Sequence, residues 1–136
     1  MAALTDCVID TVALVRHLED DLPRGAEKVF QDAEAGRIRL LLPEIALAEF
    51  VYIALRGRLR TPNPRAIVEE VLDAVRESGY LVLSPLPLPA WDRFLELKVP
   101  ELHDRMIAAL ALHASLPLVT SDPSFDSVVG LNTVWK

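Results

Sequence analysis

The segment 102-LHDRMIAALALHASLPLVTSD-122 decides the predicted fold, because it joins a helix to a strand over a short turn. Its first part, Leu102–Ala114, is mostly apolar over a length typical of a helix packed against a core. Residues 118–120 then form a short run that predicts a buried strand. Asp104 stands near the start of the helix, and Asp122 stands just past the strand. A helix leading into a buried strand indicates an α/β protein.

The same alternation of helices and strands extends over the rest of the chain. Short apolar runs predict strands, whereas helical spacing, an Asn63-Pro64 start signal and glycine stops predict helices. We therefore predict an α/β fold with a mainly parallel central sheet and helices on both faces, in a single domain over residues 1–136. The predicted strands are 8–9, 38–42, 80–83, 118–120 and 133–135, and the predicted helices are 11–19, 24–35, 43–55, 64 to Gly79, 90–98 and 102–114.

The composition fits one small domain with some uncovered apolar surface. Of the 136 residues, 51% are hydrophobic, so a partner is expected to cover part of the surface. No apolar run reaches the roughly 18 residues needed to span a membrane, and the N-terminus lacks the pattern of a secretory signal. The single cysteine, Cys7, is expected in the core and fits a reducing compartment. We predict a cytoplasmic protein without a membrane partner.

The chain is acidic, with a net charge of −6 and a pI near 5.0. This balance argues against nucleic-acid binding through bulk positive charge. Several acids nevertheless fall at the ends of apolar segments, where a metal ion would neutralise them.

Four acids occupy positions typical of a ligand site. Asp10 ends the first predicted strand, Asp122 follows the fourth, and Glu49 and Asp104 lie in otherwise apolar helical segments. Ligands of open α/β sheets bind beyond the carboxyl ends of the strands. Clustered carboxylates repel one another unless a cation compensates, and oxygen-only ligands favour Mg²⁺ or Mn²⁺ over Zn²⁺. These four acids therefore predict a site for one or two divalent ions, suited to phosphodiester hydrolysis.

Each of these acids also has a structural explanation when it is taken alone. Asp10 and Asp122 would each cap the helix that follows, Asp104 would be favoured by the helix dipole, and Glu49 would lie on a narrow solvent-facing stripe. We favour the metal site because all four acids stand on the side of the sheet where ligands bind.

Two further signals concern the basic residues. Arg56, Arg58, Arg60 and Arg65 lie within 56-RGRLRTPNPR-65, where they either contact RNA phosphates near the active site or form a solvated loop. His103 adjoins Asp104 and is a candidate for acid–base chemistry.

In four segments the chain resembles the PIN-domain nucleases, in particular the VapC-type toxins of bacterial and archaeal toxin–antitoxin pairs. The resemblance covers essentially the whole chain in order. The third segment is the most specific, because its acid, helix, strand and Thr-x-Asp have the spacing of that family. The four segments are 8-VIDTVAL-14, 42-LPEIALAEFVY-52, 102-LHDRMIAALALHASLPLVTSD-122 and 125-FDSVVGLNTVW-135.

The resemblance implies a PIN-like fold and metal-dependent hydrolysis of RNA. It implies that Asp10, Glu49, Asp104 and Asp122 bind Mg²⁺ or Mn²⁺ and support catalysis, with Thr120 beside the metal site as a further candidate RNA contact. It also implies that the protein is a type II toxin, which forms a homodimer and binds a cognate antitoxin.

Two positions depart from the family pattern. The polar residue often found two positions after the first acid is Val12 here, and the acid often found two positions after the fourth is Ser124. Asp126 is a candidate to replace that acid as a metal ligand, or it forms a structural turn with Phe125. The second metal position depends on these residues.

Two other functions fit parts of the pattern. A catalytically degenerate PIN domain would bind RNA or a partner without cutting, in line with Val12 and Ser124. A receiver-like signalling domain also places acids at strand ends and binds Mg²⁺. It requires a lysine after a late strand, however, where this chain has Ser121-Asp122.

Overall fold

Five strands and six helices alternate along residues 4–136, the part of the chain that the computed structural model describes. A π-helical turn, Ala74–Ser78, continues the fourth helix, and a 3-10 turn, Pro123–Phe125, follows the fourth strand. The strands are β1 (Cys7–Ile9), β2 (Leu40–Pro43), β3 (Leu81–Ser84), β4 (Leu118–Val119) and β5 (Thr133–Val134), and the helices are α1 (Thr11–Leu18), α2 (Arg24–Glu34), α3 (Glu44–Leu55), α4 (Pro64–Asp73), α5 (Ala90–Glu96) and α6 (Leu102–Ala114).

All strand pairs are parallel, in one sheet of order β3-β2-β1-β4-β5. From β1 the chain adds β2 and β3 on one side and then crosses to add β4 and β5 on the other. Because parallel crossovers are right-handed, connections in the two directions place their helices on opposite faces. Cys7, Val8 and Ile9 of β1 are each at most 3% exposed although successive residues point to opposite faces, so both faces are covered. The predicted α/β fold is confirmed, and the sheet is wholly rather than mainly parallel.

This strand order excludes the receiver-like alternative. A receiver-type sheet has the order 2-1-3-4-5, whereas this sheet has the order 3-2-1-4-5. The receiver-like prediction is therefore wrong, because the chain adds β3 at the edge of the sheet instead of beside β1.

Polar side chains and left-handed residues set the helix ends. Asn63 Oδ1 accepts from the backbone N–H of Ala66, with Pro64 at the first helical position, as the Asn63-Pro64 signal predicts. Ser115 ends α6 with φ 56°, and Gly79 ends the π-helical turn with φ 74°. The glycine stop predicted after the fourth helix is confirmed, but the continuous helix is not, because the last turn takes π-helical geometry.

The other predicted bounds differ from the observed ones by one or two residues, as is usual where helix ends fray. One shift assigns a residue to a different element, because Pro43 ends β2 instead of opening α3. Its φ of −58° and ψ of 137° are extended, and Glu44 is the first helical residue.

The core lies between the sheet and its helices and is organised by Phe30, Phe50 and Phe125, all of which are buried. The expectation that Cys7 is a core residue is confirmed, and burial raises the pKa of its thiol to about 11. No helix within residues 4–136 has both the length and the apolar character needed to cross a membrane.

Candidate active site

The candidate site lies where the chain changes direction in the sheet. β1 and β4 are neighbours, but the segments that follow them lead to opposite sides, so a crevice opens at their carboxyl ends. Asp10 follows β1 directly, and Thr120 and Asp122 follow β4. The sheet therefore brings two of the predicted acids to one edge.

A hydroxyl group joins these two strand ends. The side chain of Thr120 donates to Asp10 Oδ2 over 2.5 Å, and its oxygen accepts the backbone N–H of Asp122 over 3.1 Å. The other oxygen of Asp10, Oδ1, accepts the backbone N–H of Ala13 over 2.8 Å and so caps α1. Asp10 and Thr120 are 6% and 3% exposed, so this set of hydrogen bonds is buried.

Glu49 reaches the same region from α3. Its Oε1 accepts from the Thr11 hydroxyl at 3.0 Å, and its Oε2 lies 3.7 Å from His103 Nδ1. Glu49 is thus tied both to the residue after Asp10 and to the residue before Asp104. It does not lie on a stripe that faces only solvent.

Asp104 lies in the first turn of α6, but it does not cap that helix. The cap is Glu101, whose Oε2 accepts the backbone N–H of Asp104 over 2.7 Å, while its Oε1 lies 2.7 Å from His103 Nδ1. Capping therefore leaves the carboxylate of Asp104 free. Asp122, like Asp10, caps the element that follows it. Its Oδ1 accepts the backbone N–H of Ser124 at 2.9 Å and so caps the 3-10 turn.

Burial and the charges of neighbouring acids raise the pKa of Asp10 and of Asp104. Burial raises the pKa of Asp10, and the charges of Asp122 and Glu49 raise it further, against the hydrogen bonds from Thr120 and Ala13. Burial, followed by the charges of Glu101 and the other three acids, raises the pKa of Asp104 from 3.8 to about 6. Within residues 4–136, no Lys or Arg forms an ion pair with Asp10, Asp104 or Asp122. The site therefore concentrates negative charge that the surrounding side chains do not neutralise.

The donor set fits a hard divalent cation, because it offers carboxylate oxygens and no thiolate. In the described part of the chain, however, no three His, Cys, Asp or Glu side chains are grouped closely enough to hold a metal ion as they stand. The backbone thus brings the acids to one crevice, while their side chains remain apart.

The other predicted residues lie outside this crevice or are otherwise engaged. Asp126 is exposed beyond the 3-10 turn, and its role as a ligand stays a prediction. Arg60 pairs with Glu19 and Asp21, and Arg56 donates to the Tyr52 hydroxyl at 2.7 Å.

Arg65 pairs with Glu69, whereas the side chain of Arg58 is exposed without a polar partner among residues 4–136. The two positions that depart from the expected pattern, Val12 and Ser124, are also placed by the structure. Val12 is an exposed side chain of α1, and Ser124 contributes its backbone N–H to Asp122.

Thr11 and Glu101 belong to the site and are absent from the sequence-based prediction. Thr11 follows Asp10 directly, but its contact with Glu49 spans 38 positions of the chain and has no local signal. Glu101 stands three residues before Asp104, the spacing of a side chain that caps a helix. That spacing was a usable signal.

The protein is a parallel α/β protein whose acidic side chains lie at the point where the strand order reverses, between β1 and β4. The family model for the PIN domain matches residues 7–131, and the chain belongs to the PIN domain family. No curated protein sequence matches the chain.

Solved structures share the fold at low sequence identity. The chain is similar to VapBC2 from Rickettsia felis, crystallised with a promoter DNA fragment, with a TM-score of 0.72, 16% identity, and 96% of this chain and 97% of that chain covered. DNA-bound VapBC from Salmonella typhimurium gives a TM-score of 0.72, 17% identity, and 96% and 97% coverage. The sarcin–ricin loop cleaving toxin VapC20 of Mycobacterium tuberculosis gives a TM-score of 0.56, 14% identity, and 93% and 98% coverage.

Proposed function

We propose that this PIN domain is a ribonuclease that hydrolyses RNA phosphodiester bonds and depends on Mg²⁺ or Mn²⁺. The observation that carries the proposal is the crevice at the ends of β1 and β4, where the charges of neighbouring acids add to burial in raising the pKa of Asp10 and Asp104, and where no Lys or Arg among the described residues pairs with the four acids. Such a concentration of negative charge is unfavourable unless a cation compensates it.

Asp10, Asp104 and Asp122, together with Glu49, are the residues that would hold the cation. When bound, such an ion activates a water molecule and stabilises the leaving oxygen. The chain supplies the positioning: Thr120 and the Ala13 N–H fix Asp10, and Thr11 fixes Glu49. Asp126 remains a candidate further ligand.

The proposed substrate and biological role are supported by the relatives. The VapC20 structure is that of a toxin that cleaves the sarcin–ricin loop, and the other two structures are VapBC complexes with DNA. We infer that this chain is the toxin of a type II pair, acts on RNA in the cytoplasm and is inhibited by a cognate antitoxin.

Uncovered apolar side chains support association with other protein chains. Leu88, just before α5, is 82% exposed, and Leu95 and Trp91 of α5 are 74% and 38% exposed. Exposed apolar residues concentrated on one helix are typical of protein interfaces. We propose a homodimer, and sedimentation at tens of micromolar that shows only monomer would contradict it.

RNA cleavage with matched variants tests the proposed activity. Purified protein should cut structured RNA with Mg²⁺ or Mn²⁺ and stop with EDTA. Asp104→Asn should reduce the rate by at least about 100-fold, since it removes a carboxylate from the proposed metal site. Asp92→Asn, an equal change on the exposed surface of α5, should cut at the wild-type rate.

Three outcomes would contradict this activity. Cleavage that persists in EDTA and in Asp104→Asn would show a contaminating or metal-independent nuclease. Loss of cleavage in both Asp104→Asn and Asp92→Asn would show that the effect of Asp104→Asn is not specific to the proposed metal site. Metal-dependent RNA binding without cleavage by wild type would instead favour the degenerate PIN domain.

A further inference from the structure

The basic side chains that lack a partner point to a second functional surface. Most basic residues of this acidic chain form ion pairs with acids or hydrogen bonds, as Arg60 does with Glu19. Arg105 donates instead to the backbone oxygen of Phe94 at 2.8 Å. Among residues 4–136, the basic side chains without a polar contact are Arg24, Arg58, Arg93, Lys98 and Lys136.

Two of these free cations, Arg93 and Lys98, line the same groove. The groove has a volume of about 640 Å³ and lies between α5, the segment 97–100, α6 and the loop 124–129. Its lining also includes one acid, Glu96. The charge of the groove is therefore positive by one unit, in a protein whose net charge is −6.

This α5–α6 groove opens beside the acidic crevice. Ser124 lines it, and the backbone N–H of Ser124 donates to Asp122 Oδ1 at 2.9 Å. Pro100 lines it as well and directly precedes Glu101, whose carboxylate accepts from the Asp104 N–H. A chain seated in the groove would thus enter the crevice between the residues that follow β4 and the start of α6.

At its other end the groove continues past the C-terminal end of α6, towards the segment 115–117. A second cavity of about 440 Å³ shares Arg93, Leu112 and Val129 with it and extends to Asn132. Arg93 lines both cavities, so it lies where the two meet in one continuous path.

We propose that the α5–α6 groove binds a single strand of RNA on its way to the acidic crevice, with Arg93 and Lys98 contacting phosphates. This inference rests on the proposed ribonuclease function. A concave groove of drug-pocket size holds about one or two nucleotides of an extended strand and not a double helix. Val129, at 93% exposure, offers an unpartnered apolar surface to a ribose or a base.

The groove explains how a protein of net charge −6 holds a polyanion. Free cations are concentrated where the strand passes, while the arginine loop 56–65 is largely satisfied within the protein, through Arg60 with Asp21 and Arg65 with Glu69. Cations that are already paired must break those pairs before they contact phosphate. Arg93 and Lys98 carry no such cost.

Binding of a labelled single-stranded RNA of about 12 nucleotides, measured by fluorescence anisotropy in EDTA, tests the groove without cleavage. The double variant Arg93→Gln/Lys98→Gln should bind about tenfold more weakly at about 0.1 M salt, and the slope of log K against log salt should fall in magnitude by about 1.4. The matched control is Arg24→Gln/Arg58→Gln, which also removes two free cations and should bind within about twofold of wild type.

A third variant is expected to bind RNA more tightly, a result that damage to folding could not produce. Glu96→Gln removes the only acid that lines the groove among the described residues, and it should tighten binding by about two- to threefold. A duplex RNA of the same sequence should compete less well than the single strand.

The outcomes that would overturn the groove are distinct. Equal weakening by both double variants would show a general effect of net charge, and greater weakening by the control would place the RNA at the arginine loop. Unchanged binding in the groove variant, or in Glu96→Gln, would also overturn it, and so would a wild type that binds no RNA. If binding depends on the groove but no RNA is cut with Mg²⁺ or Mn²⁺, the groove stands and the ribonuclease activity fails.

Discussion

The hydroxyl of Thr120 donates to Asp10 Oδ2 at 2.5 Å, joining two residues that stand 110 positions apart in the chain. The contact links the carboxyl ends of β1 and β4 at the edge of the sheet where the candidate site lies. Because Thr120 also accepts the Asp122 N–H, one side chain positions the two acids that follow these strands. Thr120 is therefore a positioning residue of the site as well as a candidate RNA contact.

Thr120→Val should destabilise the protein and alter Asp10. Valine has nearly the same shape but leaves a buried carboxylate with one donor fewer, so we expect a loss of about 1–3 kcal/mol in the free energy of unfolding at pH 7. The pKa of Asp10 should rise further, because the Thr120 hydrogen bond lowers it in wild type. Urea unfolding measures the first effect, and Thr120→Ser, which keeps the hydroxyl, is the control. Equal stability of Val and Ser variants would contradict the role of the hydroxyl.

Asp104→Asn should stabilise the protein in EDTA at pH 7 to 8. The folded-state pKa of Asp104 is raised from 3.8 to about 6, so the folded protein holds the proton more tightly than the unfolded chain does. Stability from this group is complete below about pH 4 and is lost as the pH rises through about 6. Because partial exposure screens the repulsion, removal of the charge should gain about 1–2 kcal/mol at pH 7.

The pH dependence provides the control for this prediction. The advantage of Asp104→Asn over wild type should shrink as the pH falls from 7 towards 4, where both residues are neutral. Thermal melts in EDTA across this range measure it. A variant that melts below wild type at pH 7 would show that Asp104 has a structural role, and the site assignment would be wrong there.

Mg²⁺ should stabilise wild type by mass action, because an assembled site exists only in the folded chain. At a concentration about 100 times the dissociation constant, the expected gain is about 2.7 kcal/mol in the free energy of unfolding. Asp104→Asn should gain less at the same Mg²⁺ concentration, and Asp92→Asn should gain as much as wild type. Melting curves with Mg²⁺ and with EDTA decide between these outcomes, and equal gains in all three proteins would argue against the site.

His17 should make the protein less stable in mild acid. Its ring stacks on Phe30 at 4.1 Å, and burial lowers the pKa of the imidazole against the charges of Glu34 and Glu70, which raise it. Since the unfolded chain binds the proton more readily, stability from the neutral ring is lost as the pH falls below about 6.5.

Comparison of a protein that keeps His17 with its His17→Phe variant isolates this effect. Both proteins should be measured in the Asp104→Asn background, because Asp104 acts in the opposite direction between about pH 4 and 6. The stability difference between the histidine and phenylalanine proteins should widen as the pH falls from 7.5 to 5.5. A constant difference would contradict the buried, neutral imidazole.

Gly25→Ala should displace residues 135–136 and destabilise the protein. A Cβ at Gly25 would overlap the backbone oxygen of Lys136, next to the 2.8 Å hydrogen bond from the Ala26 N–H to the Trp135 oxygen. The clash should cost about 1–3 kcal/mol, more than the roughly 1 kcal/mol that alanine gains in a helix. Urea unfolding measures the loss, with the exposed Glu27→Ala on the same helix as control. A more stable Gly25→Ala protein would contradict this packing.

The amino-acid sequence alone determined the kinds of element and predicted the four acids of the candidate site. These features depend on interactions within a few residues, so they can be predicted without the rest of the chain. They include the apolar runs, the Asn63-Pro64 signal and Gly79. Asp10 and Asp122 stood out because each lies just past a short apolar run that predicts a buried strand. The capping roles of these two acids were also predictable, because each acid accepts from a backbone N–H only two or three residues further along.

Only the tertiary structure decided which residues meet. The order of strands, the contact between Thr11 and Glu49, and that between Thr120 and Asp10 depend on pairings across 38 and 110 positions, which leave no local pattern. The same holds for the cations: Arg60 and Arg93 look alike in the sequence, but Glu19 and Asp21 neutralise the first and no acid among the described residues pairs with the second. A side chain's availability for a ligand is set by its neighbours in space, because Coulomb attraction depends on distance and not on chain position.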